Sequence, residues 1–209
     1  MHPRLLQLGL DYPDIRDCLP DAERAYEELL ACYRGGGKLL VCGNGGSAAD
    51  CEHIVGELMK GFMKKRPLPA DRRQALAAFP DGAHLAQALQ SALPALSLVS
   101  HSALFTAFAN DVDADLAFAQ QVNGYGRAGD VLLGVSTSGR AKNVVYALQT
   151  ARSLGMRTVG LTGRTGGRMA EFCDVTVRVP RDGTPAVQER HLPIYHALCI
   201  MVEGAFFEV

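Results

Sequence analysis

The sequence predicts an α/β fold: a three-layer sandwich in which a parallel sheet of about five strands is flanked by helices. Short, continuous apolar runs recur along the chain, and such runs are typical of strands that are buried on both faces. Helical segments alternate with these runs, as they do where crossover helices join parallel strands. Glycine- and serine-rich turns follow two of the runs, at 38–42 and 131–135, where each strand gives way to a helix.

The elements follow in order along the chain. An amphipathic helix is predicted over residues 20–34, because Pro20 suits its first turn and Gly35-Gly36-Gly37 ends it. Strands are predicted at about residues 38–42, 95–100, 131–135, 157–162 and 175–179. Further helices are predicted from Ser47 to about 62, and at about 102–109, 113–125, 140–154, 168–172 and 187–207, the last interrupted at Pro193.

Length and composition limit the possible functions. The 209 residues suit a single domain, 1–209, and 48% of them are apolar, enough for a sizeable core. The formal net charge of −1, without a long basic block, gives no reason to expect nucleic acid as a partner. The absence of a long apolar run and of a signal-like N-terminus argues against a membrane span and export. Six scattered cysteines without C-x-x-C spacing predict a cytoplasmic protein.

The stretch Gly43-Asn44-Gly45-Gly46-Ser47 lies between the first strand and a helix. Glycines permit backbone conformations that side chains forbid, and Ser47 stands where a helix N-cap is expected. Free N–H groups and the positive end of the helix dipole would face this turn, which favours an anion or a sugar hydroxyl. An ordinary strand-to-helix turn is the alternative that this motif alone leaves open.

Further along the same predicted helix, His53 and Glu57 are four residues apart and therefore share one face. An imidazole beside a carboxylate can move protons or hold a metal ion. A surface ion pair is the more common explanation of this spacing. The pair becomes a candidate site because two later motifs accompany it.

The hydroxyl-rich turn Ser136-Thr137-Ser138-Gly139 follows another apolar strand. Three hydroxyls at a helix N-terminus can donate to phosphate oxygens beside the backbone N–H groups. Ligands of open α/β sheets bind at the carboxyl ends of the strands, where both this turn and the glycine-rich turn lie. One such turn is explained by an N-cap, but two in one chain predict a phosphate-bearing ligand.

A third motif lies near the C-terminus. Gln188, His191 and His196 are polar residues of a helix whose continuation, 197–202, is entirely apolar. Taken alone, buried histidines of this kind are more often part of the packing than of an active site. Together with the two turns, they complete a candidate site.

These motifs resemble one family. Six features carry the resemblance: the GNGGS turn, the His53/Glu57 pair, Asn110-Asp111, the STSG turn, Leu161-Thr162-Gly163, and Gln188/His191/His196. Their order and joint presence are similar to the sugar-isomerase (SIS) superfamily and, within it, to the phosphoheptose isomerases. The resemblance spans about residues 20–207 and implies a sheet in flavodoxin-like strand order. It also implies an aldose–ketose isomerase that interconverts sedoheptulose 7-phosphate and D-glycero-D-manno-heptose 7-phosphate.

The resemblance implies roles for the matched residues. Glu57 and His196 would be the acid/base pair. Substrate would contact Asn44, Gly45, Gly46, Ser47, Glu57, Asn110, Asp111, Ser136, Thr137, Ser138 and Gln188. Some relatives bind zinc, and here one ion per subunit would be held by His53, Glu57, Gln188 and His196. No organic cofactor is implied. A homotetramer with sites at subunit interfaces is implied, and the helical segment 1–36 would contribute to its contacts.

Four features depart from the family pattern. Arg140-Ala141 stands where Asn-Ser is usual, Pro185 where an acid is frequent, and Gly61 where an arginine is common, while the segment 67–92 is longer. These departures leave the exact sugar open, so an isomerase of another sugar phosphate is one alternative. The other is a non-catalytic module that senses a sugar phosphate or binds a protein, as adaptors of replication initiation do. The complete His/Glu/Gln set favours the enzyme.

Overall fold

The computed structural model describes residues 1–207, so the last two residues of the expected domain 1–209 lie outside the described residues. Its strands are β1 (Leu39–Gly43), β2 (Ala95–Ser97), β3 (Val131–Ser136), β4 (Arg157–Thr162) and β5 (Val175–Arg178). All neighbouring strands are parallel, in the order β2-β1-β3-β4-β5. The prediction of a five-stranded parallel sheet in flavodoxin-like order is confirmed.

Helices account for much of the remaining chain. They are α1 (Pro3–Asp11), α2 (Leu19–Arg34), α3 (Gly46–Met59), α4 (Ala70–Leu76), α5 (Gly82–Ala88), α6 (Ser102–Asp111), α7 (Ala117–Tyr125), α8 (Lys142–Ser153) and α9 (Thr184–Phe206). Short 3-10 turns cover Pro13–Cys18, Ala114–Leu116 and Arg168–Phe172. Among the described helices, none has the length and apolar character to cross a membrane.

The sheet separates two halves of the core, which gives the predicted three layers. Successive side chains of a strand point to opposite faces. Leu39 and Val41 therefore pack with α1, α2, α3 and α9, whereas Leu40 and Cys42 pack with α7 and α8. Every residue of β1 and β3 is buried, which explains the unbroken apolar runs that predict these strands.

The predicted helical segment 1–36 contains a separate helix, α1, for which the sequence analysis gives no bounds. Pro3 opens α1, and the ring of His2 accepts a hydrogen bond from the backbone N–H of Arg4. The apolar stripe of α2 is buried within its own chain. A subunit contact through the segment 1–36 would therefore use other surfaces, such as the exposed Leu6 and Leu10 of α1.

Several element boundaries differ from the predictions at the glycine-rich turn and beyond it. Gly45, with φ 57°, is the N-cap residue of α3, so the prediction of Ser47 as the N-cap is wrong; Ser47 is buried in the first turn. The helix ends at Met59 instead of about 62, because the backbone N–H groups of Phe62 and Met63 turn away to bind Glu203. Strand β2 is also shorter, ending at Ser97.

Helix α9 continues through Pro193, where an interruption is predicted. Proline removes one backbone donor, which leaves the carbonyl of Glu189 without its helical partner. Glu189 is exposed, so water can bind this carbonyl and the helix does not need to break. In the segment 67–92, α4 and α5 form the helical parts, and Gly82 is the one residue buried within these two helices.

Candidate active site

The glycine-rich turn lies against α9. A Cβ atom added to Gly46 would come within 2.5 Å of the Gln188 side-chain nitrogen, so only glycine leaves room for this amide. The turn sits at the carboxyl end of β1 and leads into the N-terminus of α3. Two sequence-predicted substrate contacts, Gly46 and Gln188, are therefore adjacent although they belong to distant parts of the chain.

Asn44 joins the two predicted ligand-binding turns. Its side-chain amide exchanges two hydrogen bonds with the amide of Asn143, in the first turn of α8, each 2.9 Å long. Sequence reasoning missed Asn143, because its partner is far away along the chain and no local motif marks it. The paired amides hold the glycine-rich turn next to the hydroxyl-rich turn.

The hydroxyl-rich turn closes β3 and faces a small cleft. Ser136 is buried at the strand end, and the Ser138 hydroxyl accepts the backbone N–H of Arg140 at 3.2 Å. The Thr137 hydroxyl lies 3.5 Å from that of Thr184, in the first turn of α9. A cleft of about 180 Å³ is lined by Thr137, Ser138 and Arg140, among others. These groups can donate several hydrogen bonds to an anion.

The candidate acid/base cluster forms within a single chain. The Nε2 atom of His53 lies 3.2 Å from the Oε1 atom of Glu57 and 3.4 Å from the Nε2 atom of His196. Lys60 donates to the other oxygen of the Glu57 carboxylate at 3.0 Å. Helices α3 and α9 thus present two imidazoles and a carboxylate to one another.

The environment of His196 favours its neutral form. Burial lowers the pKa of His196, the neighbouring His53 lowers it further, and the Glu57 carboxylate opposes both effects. The ring of Phe62 lies 5.4 Å from that of His196 and covers one side of the cluster. A neutral imidazole has a free nitrogen lone pair, which a general base or a metal ligand needs.

Behind His53 lie two further polar groups. The hydroxyl of Tyr195 lies 3.1 Å from the Nδ1 atom of His53 and 3.2 Å from the Oδ1 atom of Asp50. Burial raises the pKa of the Tyr195 hydroxyl, so this group keeps its proton. Burial also raises the pKa of Asp50, although the hydrogen bond from Tyr195 opposes that shift. Sequence reasoning assigned no role to either residue.

Helix α9 connects the two ends of the candidate site. Thr184 approaches the hydroxyl-rich turn, Gln188 packs on the glycine-rich turn, and His196 meets His53. At 1.5 Å per residue, the helix axis rises about 18 Å between Thr184 and His196. A larger cavity, of about 510 Å³, lies beside residues 61–67 and 87–90 and contains none of the predicted site residues.

Two predicted substrate contacts stand apart from this assembly. Asn110 and Asp111 are exposed at the end of α6 and hydrogen-bond to each other at 2.8 Å. Within residues 1–207, neither side chain hydrogen-bonds to another predicted site residue. His191 is fully buried, and burial lowers its pKa to about 4. His191 is therefore part of the packing of α9, which is the more common explanation of a buried histidine.

The expected zinc ligands are not arranged as a metal centre. In the described part of the chain, no group of three or more His, Cys, Asp or Glu side chains is placed to hold a metal ion. His53 contacts both Glu57 and His196, while the Gln188 amide packs on Gly46. Nε2 of His53 lies 3.2 Å from Oε1 of Glu57 and 3.4 Å from Nε2 of His196. Two ligand atoms of a tetrahedral zinc ion, with bonds of 2.0–2.1 Å, are about 3.3 Å apart, so these two distances resemble zinc geometry but do not complete a ligand set.

A family match gives the class of protein. Residues 20–78 and 72–163 match the family described as the SIS domain. The parallel sheet and its strand order agree with that match. The chain is thus an SIS-domain protein, and individual relatives narrow the class.

A phosphoheptose isomerase from Desulfovibrio desulfuricans is 42% identical over 180 residues, which cover 86% of this chain and 74% of the relative. One from Rhodospirillum rubrum is 39% identical over 189 residues, or 90% of this chain and 88% of the relative. The structure of phosphoheptose isomerase GmhA from Neisseria gonorrhoeae has a TM-score of 0.71 and 33% identity, covering 95% of this chain and 92% of that one. This chain belongs to the phosphoheptose isomerase family, whose members are aldose–ketose isomerases.

Proposed function

We propose that this protein interconverts sedoheptulose 7-phosphate and D-glycero-D-manno-heptose 7-phosphate. The single observation that carries the proposal is the meeting of His53, Glu57 and His196 within one chain. Its relatives include phosphoheptose isomerases that are about 40% identical to this chain, and their name indicates a heptose phosphate as the class of substrate. The hydroxyl-rich turn, at the other end of the site, is the proposed phosphate clamp.

The chemistry requires a proton to move between two neighbouring carbons. A base removes the proton from C2 of the aldose while an acid protonates the carbonyl oxygen, which gives an enediol. Return of a proton to C1, with loss of the proton from the C2 hydroxyl, gives the ketose. We assign Glu57 and His196 as the acid/base pair, because a carboxylate and a neutral imidazole can each accept and return a proton.

Contacts to the phosphate and the sugar hydroxyls would position the reacting carbons of the substrate next to Glu57 and His196. We assign the phosphate to the hydroxyl-rich turn and the sugar hydroxyls to the glycine-rich turn and its neighbours. The proposed contacts are Asn44, Gly45, Gly46, Ser47, Asn110, Asp111, Ser136, Thr137, Ser138 and Gln188. Fixing both ends of a flexible sugar makes the proton transfer effectively intramolecular, which is where positioning contributes most to the rate.

We also propose that each subunit binds one zinc ion. Its ligands would be His53, Glu57, Gln188 and His196, whose imidazole nitrogens and oxygens are donors that zinc accepts. When bound, zinc would polarise the substrate carbonyl. The Gln188 amide, which packs on Gly46 here, would have to join the other three side chains. An atom that ligates zinc cannot carry a proton at the same time, so zinc binding would compete with the proton transfers assigned to Glu57 and His196.

Assembly and location are further parts of the proposal. We treat the chain as one SIS domain that forms a homotetramer with sites at subunit interfaces. A cavity of about 250 Å³ lies between α1 and α9 and is lined by Arg4, Leu8, Tyr12 and His196, among others. A second subunit seated over this cavity would contact His196. All six cysteines are free thiols, which suits a cytoplasmic protein.

Turnover of sedoheptulose 7-phosphate by the purified protein tests the proposal, with the two isomers separated by chromatography. We expect conversion, and we expect Glu57→Gln to reduce it roughly 10²–10⁴-fold, the usual contribution of a general acid or base. Glu52→Gln is the matched control, because Glu52 is an exposed carboxylate on the same helix. Chelation followed by zinc addition, with elemental analysis, tests the metal separately.

Each outcome has a defined meaning. Conversion that survives Glu57→Gln would remove Glu57 from the chemistry. Absence of conversion together with a thermal shift on adding the sugar phosphate would contradict the proposed reaction and favour another phosphosugar or a sensing module. Sedimentation of an active monomer would contradict the proposed assembly.

A further inference from the structure

Tyr195 stands between two polar groups that the proposed chemistry does not use directly. Its side chain is 1% exposed, and its hydroxyl lies within hydrogen-bond distance of both Asp50 and His53. The other carboxylate oxygen of Asp50, Oδ2, is buried without a partner in the described residues. Burial of a polar atom without a hydrogen bond is unfavourable, so the placement of Asp50 needs an explanation beyond packing.

Counting protons determines the direction of both hydrogen bonds. A tyrosine hydroxyl has one proton to donate, and an ionised carboxylate has none. The Tyr195 hydroxyl therefore donates to Oδ1 of Asp50. The remaining bond, to His53, then needs a proton from the ring, so Nδ1 of His53 carries that proton. In a neutral imidazole the other nitrogen, Nε2, is left with its lone pair.

That lone pair faces the reacting side of the site. Nε2 of His53 is the atom that approaches Glu57 and His196, at 3.2 and 3.4 Å. We propose that Asp50 and Tyr195 are positioning residues that hold His53 in the Nδ1–H tautomer, with the Nε2 lone pair directed at His196. The proposal deepens the function above, because it rests on the assigned role of His53, although its test requires no turnover.

The rings of the cluster support a positioning role. Tyr195 meets the ring of His53 edge-on, with centroids 5.5 Å apart and planes at 75°. It meets the ring of His196 in the same way, at 5.1 Å and 88°. One rigid, buried side chain thus sets the orientation of both imidazoles. Outer hydrogen bonds of this kind fix the tautomer and the ring plane of functional histidines.

Nitrogen NMR of histidine-labelled protein measures the tautomer directly. At about pH 8, we expect His53 in the wild type to show a protonated Nδ1 and a bare Nε2. Tyr195→Phe removes the hydroxyl and keeps the ring, and we expect at least a twofold rise in the Nε2–H population. Asp50→Ala frees the Tyr195 proton, which would then be donated to Nδ1, so we expect the Nε2–H form to predominate.

A matched control separates positioning from a general loss of stability. Tyr33 is also buried, and its hydroxyl donates one hydrogen bond, of 3.3 Å, to the carbonyl of Pro94. Tyr33→Phe should leave the His53 signals unchanged. The His53→Gln spectrum assigns those signals, and thermal unfolding identifies any variant that fails to fold; Asp50→Ala provides a second measurement if Tyr195→Phe is unstable.

Kinetics gives a second readout that a structural role would not produce. We expect Tyr195→Phe to lower kcat roughly 10–100-fold and to change KM less than about twofold, since the substrate contacts are intact. An Nε2–H tautomer in the wild type, or unchanged His53 signals in both Tyr195→Phe and Asp50→Ala, would overturn the proposal. Failure of the wild type to convert the heptose phosphate would overturn the proposed function alone.

Discussion

Helix α9 carries two polar clusters two turns apart, and they differ in how completely their charges are paired. One is centred on His196, the other on Glu203, and both face α3 and the loop that follows it. Glu203 and its partner Arg66 have side chains that are 1% and 0% exposed. In the first cluster, His53 is 43% exposed and Glu57 is 13% exposed.

The Glu203 cluster is fully satisfied. Glu203 accepts the backbone N–H groups of Phe62 and Met63 and the Nε–H of Arg66, each at 2.8 Å. Burial raises its pKa, but these three donors outweigh burial, and the net shift is downward. Arg66 also donates to the carbonyls of Leu58 and Glu57, at the C-terminal end of α3. This cluster therefore holds the end of the helix that carries Glu57.

The His196 cluster contains groups that compete for few protons. Two imidazole nitrogens and a carboxylate oxygen face one another at 3.2–3.4 Å. Such an arrangement contributes little to stability and leaves lone pairs ready for substrate protons or a cation. The comparison shows that one helix separates the two tasks: full pairing serves the fold, and incomplete pairing serves the proposed chemistry.

The largest expected effect on stability comes from breaking the Glu203 cluster. Arg66→Met leaves the Glu203 carboxylate buried with an incomplete set of partners, and we expect a loss of roughly 3–5 kcal/mol in the free energy of unfolding. Urea denaturation measures it. Arg66→Met combined with Glu203→Leu should recover part of the loss, because no charge remains buried.

An exposed pair supplies the control for that measurement. Arg164 and Asp182 form an ion pair at 2.8 Å whose side chains are 55% and 72% exposed. Arg164→Ala should change stability by less than about 1 kcal/mol, as is usual for surface pairs. Equal losses for Arg66→Met and Arg164→Ala would contradict the distinction between the two environments.

His191 gives the next largest effect, and it depends on pH. Burial lowers its pKa to about 4, with a backbone contact at Thr162 acting in the opposite direction, and neither ring nitrogen has a partner in residues 1–207. The unfolded chain, with a histidine pKa of about 6.5, binds a proton before the folded chain does. The contribution of neutral His191 to the free energy of unfolding is therefore fully present above pH 6.5 and is lost as the pH falls to about 4. This contribution changes by about 3 kcal/mol over that range.

Comparison of variants isolates this contribution. His191→Leu should remove the loss of about 3 kcal/mol, measured as the difference between its denaturation profiles and those of the wild type across the same pH range. His84→Leu is the matched control, because His84 is exposed on α5. Parallel profiles for the wild type and His191→Leu would contradict this prediction, because they would show that the pKa of His191 is the same in the folded and unfolded chain.

The smallest effect on stability is expected where the effect on turnover is large. His196→Gln removes a half-buried ring from the incompletely paired cluster, and we expect stability to change by less than about 1 kcal/mol. Turnover should fall roughly 10²–10⁴-fold, because a proton carrier is lost. Thermal unfolding and the isomerase assay measure the two quantities on one sample. A large loss of stability would place His196 with Glu203 as a structural residue.

Elements with a distinctive apolar pattern were predictable from the sequence. The strands β1 and β3 are buried at every position, so their continuous apolar runs have one structural explanation. Helix α1 was not distinguished within the helical segment 1–36, although Leu5, Leu8 and Gly9 give it a buried face, because nine residues are shorter than the windows in which helical periodicity is recognised. The Ser47 cap was predicted wrongly, since Gly45 reaches a positive φ that allows α3 to start earlier.

The sequence by itself determined the fold class, the family resemblance and the residue types of the candidate site, because these are carried by local spacing and burial. Only the tertiary structure decided which groups meet: Asn44 with Asn143, and Tyr195 with Asp50 and His53. These pairs join segments about a hundred residues or more apart, and no local propensity encodes such contacts. They depend on the register in which α3, α8 and α9 pack on the sheet.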